Sequence, residues 1–70
     1  MSEEDEIENE IFKVCDEIQT EFFELLSKKH PELIPMYQMR YQYIDKMYPP
    51  AMRIHNAYEI LKTYLLLKQE

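Results

Sequence analysis

Ile7-Glu8-Asn9-Glu10-Ile11-Phe12-Lys13-Val14-Cys15-Asp16-Glu17-Ile18-Gln19-Thr20-Glu21-Phe22-Phe23-Glu24-Leu25-Leu26 is the stretch that decides the fold of this chain. Its apolar residues recur at 7, 11, 14, 15, 18, 22, 25 and 26, in steps of three and four. That is the period of one helix face, and a strand would alternate every second residue. Ser2 stands upstream as an N-cap with Asp5 three residues on, and the acids that follow suit a helix N-terminus. Lys28, Lys29 and His30 suit the other end. The spacing predicts a long first helix over about 3–29.

Proline supplies all the punctuation that follows. The chain has no glycine, which disfavours tight hairpins and glycine caps. Pro31, Pro35, Pro49 and Pro50 cut it into three segments. The second helix is expected over 36–47, after a corner at 30–35. Pro49-Pro50 should end it, with Pro50 opening a third helix over 50–68. In helix 3 the expected core stripe is Ala51, Ile54, Ala57, Tyr58, Leu61 and Leu65. The fold class is therefore all-α, a single helical domain over 1–70. It is read as a three-helix bundle, or a helical hairpin plus a third helix, with the N-terminal helix the longest.

Seventy residues make a small core, and such chains often gain stability from a disulfide, a metal or self-association. Cys15 is the only cysteine, so no disulfide forms within the chain and no cysteine pair offers a metal site. A lone cysteine suits a reducing, cytoplasmic setting. No apolar run nears the ~18–20 residues needed to cross a bilayer, and the N-terminus is acidic where a signal peptide would be basic. The apolar surplus adds to the size argument. Phe12 and Phe23 fall off the edge of the main stripe of helix 1. Tyr37, Tyr41, Ile44 and Tyr48 form a second face on helix 2. Ile60, Tyr64 and Leu67 lie away from the expected stripe of helix 3. An excess of this kind marks an association surface, here taken as an interface with a second copy, the homodimer being favoured, or with a partner protein, formed by Phe12, Phe23, Tyr37, Tyr41, Tyr48, Ile60, Tyr64 and Leu67; the alternative is a thin core spread round wide helix faces.

Charge is divided as sharply as the punctuation. Ten acids stand in the first 27 residues against one base, Lys13, a net of −9. The remaining 43 residues hold seven bases and four acids, a net of +3, and the whole chain carries −6. Glu6, Glu10, Glu17, Glu21 and Glu24 share one side of helix 1. Glu6–Glu10 and Glu17–Glu21 are like-charged pairs at i,i+4, each costing about 0.2–0.5 kcal/mol. Lys13 faces Glu17 and Lys28 faces Glu24 at the same spacing. The face composed of Glu10, Glu17, Glu21 and Glu24 is expected to dock a basic partner protein, with imitation of nucleic-acid charge as one form of that docking. The alternatives are a solvated face with no partner, or internal pairing with Lys46, Arg53 or Lys62.

Catalytic chemistry finds no foothold. Cys15 lies on the apolar stripe among acids that would raise its pKa. No phosphate-binding loop exists without glycine, and no histidine follows a glutamate by three as di-iron helices require. His55 and Glu59 at i,i+4 could ligate a metal or share a hydrogen bond, and on that spacing alone no metal or cofactor is assigned. Arg40, Lys46 and Arg53 interleave with tyrosines that could stack on bases, but the acidic arm would repel phosphate. A nucleic-acid-binding helical dimer is therefore the second alternative. A homo-oligomeric assembly subunit is the first, and a small acidic regulator or inhibitor is the reading preferred.

One local pattern adds to this. Pro35, Tyr37, Arg40, Ile44, Tyr48 and Pro50 resemble the end of the dimerisation helix in nucleosome assembly proteins, with Met39 where lysine is usual there. The resemblance covers under a quarter of the chain, and that family's α/β histone-binding domain has no room here. It implies dimerisation through helix 1 and a basic partner.

Overall fold

The computed structural model describes residues 3–70. Ser2, the expected cap, lies outside them. Helix α1 covers Glu3–Lys29, a short 3-10 turn covers Pro31–Leu33, α2 covers Ile34–Gln42 and α3 covers Pro50–Gln69. Among the described residues there is no strand. The chain is all-α.

The contacts fix the direction of each helix. Arg53 packs over Phe12, the Cys15 thiol reaches the Ala57 carbonyl, Tyr64 reaches Glu21, and Lys29 reaches the Leu67 carbonyl. These partners climb together along both helices, so α1 and α3 run parallel. Tyr41 meets Cys15 while Tyr37 meets Phe22, and Arg40 meets Asn56 while Tyr37 meets Thr63. Here the numbers run oppositely. Helix α2 therefore lies antiparallel to both and returns the chain between them.

Helix α2 begins two residues earlier than its spacing suggested, and ends five earlier. Pro35 falls in its first turn, where backbone N–H groups have no acceptor within the helix, so the missing donor costs nothing. At the far end the Tyr43 amide is shared between the Met39 and Arg40 carbonyls, tightening the last turn. Asp45 then accepts the Met47 amide at 3.0 Å and stabilises a turn in place of more helix. Ile44 turns inward at this point, and its carbonyl takes the Arg53 guanidinium at 2.9 Å. Pro49 is extended, and its carbonyl accepts the Met52 and Arg53 amides as α3 starts.

The core has Phe22 at its centre. Its ring meets Tyr37 and Phe23 edge-on at 5.1 and 5.4 Å, with Tyr41 and Tyr64 further out. Cys15, Leu26, Ala57, Ile60 and Leu67 complete the buried set with Ile44. The buried side of α3 thus shares only part of the stripe expected from its sequence: Ala57 is buried and Leu61 packs against the core. Tyr58 and Leu65 are 63% and 58% exposed, whereas Ile60 has no exposure. The reason is polar. Asn56, buried beside Ala57, accepts from Arg40 at 3.0 Å and donates to the Met52 carbonyl at 2.8 Å. Thr63 bonds the Tyr37 hydroxyl. These bonds satisfy buried polar groups only when this side of α3 faces α2.

Two truncations separate the faces of α3. Ile60→Ala should cost about 2–5 kcal/mol by emptying a buried site. Leu66→Ala, at a position 53% exposed, should stay within about 0.5 kcal/mol. Urea unfolding of both variants, read as midpoint shifts, checks the assignment.

A candidate interaction surface

Helix α1 carries Glu6, Glu10, Glu17, Glu21 and Glu24 on the side turned away from Phe22 and Leu26. Glu6, Glu10, Glu17 and Glu24 are exposed, and among the described residues they have no ion pair or side-chain hydrogen bond. The i,i+4 pairs Lys13–Glu17 and Glu24–Lys28 are not closed either. Four carboxylates therefore stand free along one ridge of a rigid 27-residue helix.

Glu21 differs from them. One oxygen accepts the Tyr64 hydroxyl at 2.7 Å and the other takes the Lys68 ammonium at 3.2 Å. Lys68 also lies 5.2 Å from the centre of the Tyr64 ring. The Tyr64 and Lys68 bonds hold Glu21 below the usual carboxylate range, and the same contacts raise Lys68. This is a bridge between α1 and α3. Glu21 is spent on the fold, and the base that meets it is Lys68; Arg53 stacks on Phe12 at 4.2 Å and Lys62 pairs with Glu59 at 3.2 Å.

The apolar residues expected at an interface divide in the same way. Tyr37, Ile60 and Leu67 are buried within the chain itself. Phe12, Phe23, Tyr41 and Tyr64 are half-buried against that core. Tyr48 stacks edge-on against Tyr43 at 4.8 Å in the connection before α3. The exposed apolar groups are others, including Ile7, Val14, Tyr58 and Leu65. An open groove of about 510 Å³ lies along α1, lined by Glu6, Ile7, Glu10, Ile11 and Val14 of that helix and by Leu61 of α3. It falls where two seams of coiled-coil spacing adjoin, Ile7, Ile11, Val14, Ile18 on α1 and Ile54, Tyr58, Leu61, Leu65 on α3, of which Ile7, Ile11, Val14 and Leu61 line it.

The basic residues do not gather. Arg40 is half-buried, donates to Asn56 and lies over the Tyr37 ring, while its Nε is buried without a partner. Arg53 is held by Phe12 and Ile44, which leaves Lys46 exposed alone of the three. The hydroxyls of Tyr37 and Tyr41 serve Thr63 and the Cys15 carbonyl, so neither ring is a free stacking platform. Glu59 pairs with Lys62 rather than His55. Among the described residues no group of three His, Cys, Asp or Glu could hold a metal ion. No described helix is long and apolar enough to cross a membrane.

Cys15 is buried, with its thiol 3.7 Å from the Ala57 carbonyl. Burial, with Asp16 adding to it, pushes the thiol up to about 11. Tyr41 is raised for the same reason, with Cys15 and Asp16 contributing. A group whose pKa rises on folding contributes stability that is intact below its ordinary value and lost as pH climbs through the folded one. Stability should therefore hold to about the thiol's ordinary value of 9.0 and decline towards about 11. Thermal melts across that range check the decline. Near neutral pH, a thiol reagent should label Cys15 slowly in the folded protein and rapidly in denaturant.

Compared with known proteins, the chain matches no family model, no curated protein and no solved structure.

Proposed function

We propose that this protein is a protein–protein interaction module, a stoichiometric regulator or inhibitor that docks a basic partner along α1. The observation that carries this is the ridge of Glu6, Glu10, Glu17 and Glu24, whose carboxylates are exposed and unpaired among the described residues. Like charges in series cost helix stability, and a balanced surface would keep the protein soluble at lower cost. Unpaired carboxylates on a rigid rod give a directional field that speeds encounter with a basic surface and orients it.

Magnitude limits the form that docking takes. Four carboxylates from Glu6 to Glu24 span about 27 Å, one charge per ~7 Å. Duplex DNA carries one per ~1.7 Å. At well under half that density the ridge suits steering and orientation better than replacement of a phosphate backbone. The exposed seams of α1 and α3 favour a second reading, a homo-oligomeric assembly subunit; the two combine if the module acts as a dimer.

Chromatography of a native-host extract on the immobilised protein tests the docking. A basic partner should bind at low salt and elute near 1 M, where the screening length falls to about 3 Å. Reversal of Glu6, Glu17 and Glu24 to Lys should abolish its retention while far-UV circular dichroism stays unchanged. Retention of the same partner by the triple variant would remove the ridge from the mechanism.

A further inference from the structure

We propose that the groove between α1 and α3 is a self-association face, closed by the same groove of a second copy related by a two-fold axis running along it. On both walls the coiled-coil seam is half used: Ile11, Ile18 and Leu61 pack against the core, while the alternate positions stay open. Ile7 and Val14 on α1 are 59% and 37% exposed, and Tyr58 and Leu65 on α3 exceed half. Two parallel helices with seams open to one side form half of a four-helix bundle. Cys15 against Ala57 and Phe22 against Tyr64 pack the two helices together, so the half-bundle is preformed.

Charge selects the occupant and its direction. The rim on α1 is acidic, with Glu10 and Glu17, and the rim on α3 beyond Tyr58 carries Lys62, whose exposed pairing with Glu59 would be shared with or exchanged for the facing carboxylates. An axis along the groove lays the α1 rim of one copy on the α3 rim of the other, so unlike charges meet. An axis across the groove would set α1 against α1 and bring acidic rims together. Levels agree as well. Cys15 pairs with Ala57 and Phe22 with Tyr64, each 42 residues apart, which puts Lys62 level with residue 20 of α1. Since an axis along the groove preserves height, Lys62 of one copy arrives between the levels of Glu17 and Glu24 of the other.

The area places this contact among weak, reversible interfaces. From Ile7 to the level of Leu65 the seam runs about 24 Å, and two helices side by side span about 20 Å. That is roughly 500 Å² from each copy, near the lower bound of about 1,000 Å² for a specific complex. The dimer should accordingly dissociate in the micromolar range.

Sedimentation equilibrium of the purified chain, with no partner protein present, tests this apart from the docking reading. Wild type should pass from monomer to dimer as concentration rises through the micromolar range. Leu65→Glu and, separately, Val14→Glu should weaken the dimer at least tenfold with helicity retained. Both positions are exposed, and circular dichroism confirms that each variant folds. Lys62→Glu should weaken it less, and Glu17→Lys in the same chain should restore it. A wild type monomeric at about 1 mM, or a dimer indifferent to Leu65→Glu and Val14→Glu in folded variants, overturns the face. A dimer indifferent to Lys62→Glu overturns the axis.

Discussion

A nine-residue helix holds two long ones in parallel, and the rest of the structure depends on how α2 grips them. Parallel neighbours set their macrodipoles side by side with like ends together, a mildly unfavourable arrangement. Helix α2 lies against both in the opposite sense and binds each with side chains. Tyr41 reaches the Cys15 carbonyl on α1, while Tyr37 and Arg40 reach Thr63 and Asn56 on α3. Directional bonds set register in a way that apolar contact alone does not. With register fixed, the rings of Phe22, Tyr37 and Tyr41 close into one cluster, and Leu26, Ile60 and Leu67 are buried beyond it.

Helix α1 could be read from sequence to its ends because two independent signals agreed there. Its apolar steps of three and four run from Ile7 to Leu26, and its charges are sorted to suit the dipole. Helix α3 start and stop were legible for a similar reason, but its orientation was not. Leu61, Leu65, Leu66 and Leu67 surround the axis, so apolar period alone fits more than one face. Asn56 and Thr63 mark the buried one, yet polar residues on a core face signify burial only once Arg40 and Tyr37 are known to meet them. The end of α2 was hidden by local competition. Asp45 can continue a helix or cap a turn, and the inward demand of Ile44 together with Arg53 tips it to the turn.

The charge asymmetry resolves into two physically different parts. Glu21 is answered within the fold by Tyr64 and Lys68, and its lowered pKa follows from those bonds. The ridge of Glu6, Glu10, Glu17 and Glu24 is not answered at all among the described residues. Sequence spacing could place all five on one side of α1, but could not separate a carboxylate within reach of α3 from its neighbours one turn away. That distinction matters for function. An exposed ion pair such as Glu21–Lys68 adds little to stability in water, whereas several unpaired charges on a rigid rod sum into a field that acts at a distance.

The stripe of Ile54, Tyr58, Leu61 and Leu65 was the natural choice for the core of α3, and in the single chain much of it faces outward. Helical periodicity reports that one side of a helix favours an apolar neighbour; it does not say whether that neighbour is in the same molecule. A long chain usually hides the difference, because its own core can accept every stripe. At this length the surface available for burial is small, and α3 has two apolar sides while the fold covers one. The covered side is the one whose polar residues find partners. The open side needs only another apolar surface of matching period, and the adjoining seam of Ile7, Ile11 and Val14 extends it across both helices. Viewed this way, the stripe on α3 and the shoulder of α1 are two halves of one surface, and the thin core of the monomer and its apolar exterior have a single cause.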